Sequence, residues 1–506
     1  VVNRNTIHIW TLVLKYFKMN KHLTIFLFLT AFSFTSCKNY LQDPGLTYYI
    51  NFDEGDDKFP GTIEKPIKSI SELNVRLKKK SASIFFAGGQ VYDGTLLLKN
   101  INGDDSIPVV IGSYNSGRPV INGGNHEAVR IEKCKNIRIT SLTVMGSGRK
   151  EGNTTNGLQL LYSTNCYIGD IYAEGFQKSG VDLYNCRDIE VIKVTAYGNG
   201  FCGINVMGSH QDSSENVLIK DCKAENNPGD PTILDNHSGN GILVGVSDSV
   251  IIDHCTATNN GWDMPRQGNG PVGIWTWQSD HVTIQYCISY RNKTSKGGKD
   301  GGGFDLDGGV TNSLVQYCLS YENEGAGYGL FQYWGASDWS NNVVRYCVSI
   351  NDAQKTEGAG SFFLWNGSNE SRQLKDCYIY NNVAYSTSSP VLSYENASQH
   401  QNFVFSNNIF LASGKAISGN TSGSTYSGNV WGSTADKVFR GPFTVDITDP
   451  YMLGTLEGLK LLSGSPLRDT GIKIKPMFGF APPPTDFFGN TVPQGSAPDP
   501  GIHELN

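Results

Sequence analysis

Charge is scarce in this chain. Only 17% of its 506 residues are Asp, Glu, Lys or Arg, against roughly a quarter in an ordinary soluble domain. Long runs of Ala, Glu, Leu and Lys are missing, which excludes coiled coils and helical bundles. The 41 basic residues form no stripe and face 47 acids, for a net charge of −6; that argues against a nucleic-acid partner. No CxxC or HxxxH spacing occurs, so a zinc site of the usual kind is not expected. Nor does any apolar run reach the ~20 residues of a membrane-spanning helix. The length leaves room for one to three domains with a sizeable core. What is abundant is Gly, at 58 residues, with Asn and Ser beside it.

Residues 1–36 read as leader rather than fold. Met19-Asn20-Lys21-His22 opens a short basic stretch, Leu23 to Phe34 is apolar, and Thr35-Ser36 precede Cys37. These are the three parts of a bacterial secretory signal, with residues 1–18 as translated upstream sequence and Met19 as the start. Small residues directly before a Cys resemble a lipoprotein processing site, which implies that Cys37 carries lipid. The expected product is exported and lipid-anchored to the bacterial outer membrane, touching the membrane through that anchor alone. Loss of Arg4, Lys15, Lys18 and Lys21 makes it more acidic still. Such a surface suits a neutral or cation-bridged glycan better than an anionic membrane.

From about residue 137 one short phrase returns. It reads VLIKDCKAENN at 217, VIIDHCTATNN at 250, VTIQYCISYRN at 282, SLVQYCLSYEN at 313, NVVRYCVSIN at 342 and RQLKDCYIYNN at 372. Its marker is Cys222, Cys255, Cys287, Cys318, Cys347 and Cys377, with Leu142, Ile171, Val194 and Asn408 at the same place in other copies. Three residues earlier the side chain is always apolar, as at Ile219, Ile252, Ile284, Val315, Val344 and Leu374. Short and β-branched, the phrase reads as a strand, and a period of about 30 residues means a solenoid or a propeller. A WD-type propeller needs blades of about 40–45 residues. A parallel β-helix fits, with right-handed crossovers. The six cysteines are expected as an inward apolar stack without disulfides, because parallel side chains in one ladder have the wrong Cβ directions. An Asn ends the phrase at Asn226, Asn259, Asn292, Asn323, Asn351 and Asn381, where it tolerates left-handed turns and can bond to its counterpart in the next coil.

These features resemble the pectate-lyase-like right-handed parallel β-helix superfamily, in the form common in polysaccharide-degrading bacteria. The likeness covers nearly all of the mature chain. It includes Tyr48-Tyr49-Ile50 through Pro66-Ile67-Lys68-Ser69-Ile70, a capping helix near 67–79, and Gly88-Gly89-Gln90-Val91-Tyr92. At the far end it includes Ser463-Gly464-Ser465-Pro466-Leu467-Arg468-Asp469-Thr470-Gly471 and Asp486-Phe487-Phe488-Gly489-Asn490. The resemblance implies an all-β fold: a single-stranded right-handed parallel β-helix of about ten or more coils with an N-terminal capping helix. Residues 37–83 form the lead-in and cap, 84–430 the β-helix, and 431–506 a C-terminal cap and tail. A monomer is expected. The motifs specify architecture and leave activity open, since one fold hosts many chemistries.

Each coil has a second strand opened by a small residue, as in Gly180-Val181-Asp182, Gly273-Ile274-Trp275, Gly303-Phe304-Asp305, Gly329-Leu330-Phe331 and Ser361-Phe362-Phe363. If the second residue of each triplet points inward, alternation sends the third outward together with the residue two further on. The outward column then reads Asp182/Tyr184, Asn205/Met207, Leu243/Gly245, Trp275/Trp277, Asp305/Asp307, Phe331/Tyr333 and Phe363/Trp365. Aromatics thus flank two carboxylates roughly 6–7 Å apart at Cα, a spacing from which glycosidase geometry can be made. Asp182, Trp275, Trp277, Phe331, Tyr333 and Trp365 are expected to bind sugar, the aromatic faces by stacking on rings. The loops ahead of these strands carry Asp230, Asp235 and His237, then Trp262, Asp263 and Arg266, then Lys299 and Asp300, then Glu322 and Glu324. They are expected to wall a cleft around Asp305, with Arg266 as a further substrate contact.

Three functions are open. Paired acids suit a glycosidase, with Asp305 and Asp307 sharing the acid and base roles, acting on a complex, acidic plant or algal polysaccharide. Ca²⁺-dependent pectate lyases carry a stretch similar to Asp300-Gly301-Gly302-Gly303-Phe304-Asp305-Leu306-Asp307-Gly308-Gly309, with a catalytic Lys where this chain has Asp305. That departure counts against direct lyase chemistry. A lyase here would use His237 or Lys299 as base, with Ca²⁺ on Asp300, Asp305 or Asp307. The third reading is a glycan-binding lipoprotein without turnover.

Overall fold

A computed structural model describes residues 46–505, apart from 79–80, 105, 369, 371–372, 396–398 and 434–437. The signal segment and Cys37 lie outside the described residues. Among those described, no helix is long and apolar enough to cross a membrane.

The recurring phrase pairs with its own next copy, strand on strand and parallel. One apolar column runs Val191, Ile219, Ile252, Ile284, Val315, Val344, Ile379 and Phe405, every member buried. Pairing begins at Thr47–Ile50 against Ser83–Ala87 and ends at Val430–Gly432. A second parallel sheet contributes one strand per coil, twelve among the described residues, from Leu96–Lys99 to Ile417–Ser418. The short helix α1, Ile70–Leu77, is started by Ser69, whose hydroxyl accepts from the Glu72 amide, and it buries Ile70, Leu73 and Leu77. Its Asn74 bonds to Thr95 and Leu97 and so ties the cap to the first strand of the second sheet.

The ten described cysteines are buried and unbridged. Cys222, Cys255, Cys287, Cys318 and Cys347 share one column. Each thiol donates to the carbonyl two residues back, as Cys222 does to Lys220 at 3.2 Å. Cys377 is not in this column, contrary to the sequence expectation. The next member is Asn382, 35 residues beyond Cys347, whose Oδ1 accepts from the Cys347 amide; Cys377 pairs with Asn342 instead. That coil is five residues longer than the Cys-to-Cys spacing suggested, so the apolar position is Ile379 rather than Leu374.

The terminal asparagines also divide into two columns. Asn226, Asn259, Asn351 and Asn381 occupy left-handed turns with φ of 54, 52, 51 and 52°. Asn292 and Asn323 lie one position further on, in a buried ladder running Asn199, Asn227, Asn260, Asn292, Asn323 and Asp352. Each amide donates to the next oxygen at 2.8–3.2 Å.

After the last strand the chain turns back along the larger sheet as a strap. Tyr321 donates to Ile447 O, Tyr317 to Thr485 O, Arg345 to Ala481 O and Tyr451 to Asp221. The strap lies against stacked rings that include Tyr286, Tyr317 and Tyr346.

Candidate active site

The twelve-stranded sheet builds the site. Its inward residues stack as Phe304, Tyr328 and Phe362, at 5.2 and 5.1 Å between ring centres, which leaves Asp305 on the outer face. The outward register runs Asp182, Asn205, Leu243, Trp275, Asp305 as expected. The next members are Gly329 and Phe363. Phe331, expected beside Asp305, is two residues further along and pairs with Trp365. An even shift keeps the same face, so the aromatic stays in the site. Gly329 gives the carboxyl its room: a Cβ there would lie 2.9 Å from Asp305 Oδ1 and 2.7 Å from the Phe331 ring.

Above these strands is a cavity of about 410 Å³. It is lined by His237, Trp275, Lys299, Asp300, Asp305, Asp307, Phe331, Tyr333, Phe363 and Trp365, all expected from sequence, and by Thr356, Glu357 and Glu395. Glu395 follows Trp365 in the outward column, so extending that column by one coil reaches it. Glu357 stands in a loop with no motif to mark it.

Three expected residues are not in the lining. Asp182 is four coils away from Asp305, accepting from Asn205, Gln159 and Asn156. Trp277 packs over Gly245 and Met207, where a Cβ on Gly245 would come within 2.4 Å of its indole nitrogen. Arg266 flanks the rim beside Gly268. Trp275, though in the lining, is a wall rather than an open platform: it is buried against Leu243 and Val272. Asp235 is exposed and outside the lining, and the other four loop acids act as braces. Asp230 pairs with Lys178, Asp263 with Arg149 and Lys150, Glu324 with Lys355, and Glu322 with Arg291.

Burial sets the protonation of the three aspartates. Asp305 is 4% exposed, and its Oδ1 has no hydrogen-bond partner. Desolvation, then Asp307 and Asp300, hold its carboxyl well above the usual carboxylate range. Asp307 is pushed up to about 7 by desolvation, against the Gly308 amide that bonds its Oδ1 at 2.7 Å. Asp300 rises to about 6 for the same reason, despite the Gly270 amide at 2.6 Å and the charges of Lys299 and Arg266.

His237 is held in one tautomer by its neighbours. The Trp275 indole N–H, which can only donate, bonds Asn240 Oδ1 at 3.1 Å and so fixes that amide's orientation. Asn240 Nδ2 then donates to Phe201 O and to His237 Nδ1, at 3.1 and 3.0 Å. The neutral ring therefore carries its hydrogen on Nε2. Desolvation, with Arg266 adding, pushes its pKa down to about 4.

The resemblance to Ca²⁺-dependent lyases is tested by the donor set. Asp300, Asp305 and Asp307 do not converge on a point: among the described residues, the three-ligand grouping within 4.8 Å is Asp248, Asp280 and His281, which lies off the cavity lining. Among the described residues, the cavity carboxylates do not by themselves bring three ligand atoms together. What they offer is a pair of carboxyls two residues apart, in unequal environments, under an aromatic wall.

The family model for the right handed beta helix region matches residues 118–285 and 230–389, together more than half of the chain. No curated protein matches it significantly. Among solved structures, the chain is similar to the GH136 lacto-N-biosidase from Eubacterium ramulus, with TM-score 0.50 and 17% identity over 77% of this chain and 68% of that one. It is also similar to the A-module of the Azotobacter vinelandii mannuronan C-5 epimerase AlgE6, with TM-score 0.52 and 13% identity over 72% and 96%. At such identities the likeness is one of fold. With its parallel ladders and the matched family model together, the chain belongs to the right-handed parallel β-helix family.

Proposed function

We propose that this protein hydrolyses glycosidic bonds in a polysaccharide, with Asp305 as general acid and Asp307 as general base or nucleophile. The observation that carries the reading is the pair itself: two carboxyls lining one cavity, both raised by burial, with Asp305 the more deeply buried of the two. Environments that separate two such groups also separate their roles. Asp305 keeps its proton and can deliver it to the leaving oxygen. Asp307, ionised near neutrality, takes a proton from water or attacks the sugar carbon. Tyr333 and Trp365, half-buried in the lining, supply apolar faces for sugar rings, with the buried Phe331 packed behind Trp365. A β-helix neighbour named as a lacto-N-biosidase is consistent with such chemistry.

The lyase reading has less support. The Nδ1 lone pair of His237 is occupied by Asn240 and its Nε2 carries hydrogen, which suits a donor rather than a base. Product analysis separates the readings. Incubation with a polysaccharide panel should release new reducing ends without ultraviolet absorbance, at the mass of substrate plus water. Unsaturated products, or binding without turnover, would overturn the proposal. Export and lipid attachment belong to the same reading and rest on residues 19–37; Cys37→Ser should abolish incorporation of labelled palmitate and release the protein from the membrane fraction.

A further inference from the structure

Five carboxylates line the cavity, Asp300, Asp305, Asp307, Glu357 and Glu395, and a single cation, Lys299. Lys299 adjoins Asp300 in sequence, and its charge and that of Arg266 both bear on that carboxyl. Glu357 and Glu395 are exposed and have no ion-pair partner among the described residues. Asp305 is more than nine-tenths buried and lines the cavity, and its buried Oδ1 has no hydrogen-bond partner among the described residues.

Resting on the glycosidase reading, we propose that the cavity takes an uncharged glycan and discriminates against uronates. The acidic polysaccharide expected from sequence meets the wrong sign. A uronate chain brings one carboxylate per sugar up to the carboxylates of Glu357 and Glu395 at the exposed part of the wall, a like-sign contact that salt screens. A neutral sugar matches the same wall twice: its C–H faces lie on Tyr333 and Trp365, and its hydroxyls donate to the carboxyl oxygens.

The test uses paired probes: uronate oligosaccharides and the same oligosaccharides after chemical reduction of their carboxyls, added to a broad panel of neutral glycans. Binding and cleavage are both measured with the full-length protein. The reduced member of each pair should bind at least about tenfold tighter, equivalent to ~1.4 kcal/mol. The gap should narrow as salt rises. Glu357→Lys combined with Glu395→Lys should shrink or reverse it; the salt series on the wild-type protein decides the matter if that variant folds poorly. Equal or better binding of the uronate members overturns the inference, and hydrolysis of them leaves the glycosidase reading standing. Neutral glycans bound but never cleaved remove the hydrolase and keep the preference. Binding of no glycan at all overturns both.

Discussion

Asp307 and Asp305 carry opposite demands, and pH should expose them. Activity is expected to rise as Asp307 loses its proton, at about 7, and to fall at higher pH as Asp305 loses its own. Asp305→Asn and Asp307→Asn should each lower kcat by about 10²–10⁴-fold while keeping most substrate affinity. Stability should move the other way. A carboxyl whose folded pKa is raised contributes most below its ordinary value of 3.8, and that contribution is lost as pH climbs through about 7 for Asp307. Melting curves should therefore show Asp307→Asn more stable than wild type at pH 8 and no more stable at pH 4; equal Tm at both would mean that the carboxyl is not strained by burial. Asn240 provides a second handle. In Asn240→Asp the donor to His237 Nδ1 disappears and a carboxylate replaces it, so the imidazole should titrate well above its wild-type value of about 4, readable by NMR of the ring.

Ladders decide stability at the level of the strand and coil. Asn292 makes bonds to Asn260, Asn323, Ser289 and Ala257 in one buried column. Asn292→Ala should cost about 1–3 kcal/mol for each group it orphans, measured by denaturant unfolding, with little change in KM. Gly329→Ala should do the reverse, pressing on Asp305 Oδ1 and Phe331, so that kcat falls more than Tm. These two positions also show what the sequence could reveal. The coil period, the inward isoleucines and the outward parity of Asp305 follow from side-chain alternation, which registers in composition residue by residue. Register along the sheet does not, because coil length varies in the loops. Cys377 falls outside the cysteine column because its coil is five residues longer than the spacing suggests, and Phe331 lies two residues beyond Asp305's partner because Gly327 and Gly329 read alike as openers. Glu357 entered the cavity through a loop whose path no spacing encodes. The indole N–H of Trp275 is held by Asn240, 35 residues earlier, a pairing visible only in space.

On the scale of the whole molecule, coils touch mainly their neighbours, so cooperation along the axis has to be supplied. The C-terminal strap supplies part of it, bonding to Asp221, Tyr317, Tyr321 and Arg345, which lie on different coils. Removing residues 439–505 should expose the stacked tyrosines, raise binding of hydrophobic dyes and lower Tm, while far-ultraviolet spectra stay those of a β protein; an unchanged Tm would show that the strap is decoration. The asparagine ladder adds a polarity of its own. Every amide from Asn199 to Asn323 offers its hydrogen in the same direction, and the run stops at Asp352, which has oxygens only. A coil copied and inserted within that run brings one donor and one acceptor and leaves no orphan, so gene duplication could lengthen this stretch of the solenoid freely. The same insertion just past Asp352 would find that residue's backbone amide but no side-chain hydrogen, one donor fewer than every earlier rung supplies, which makes that carboxylate a brake on growth by repetition.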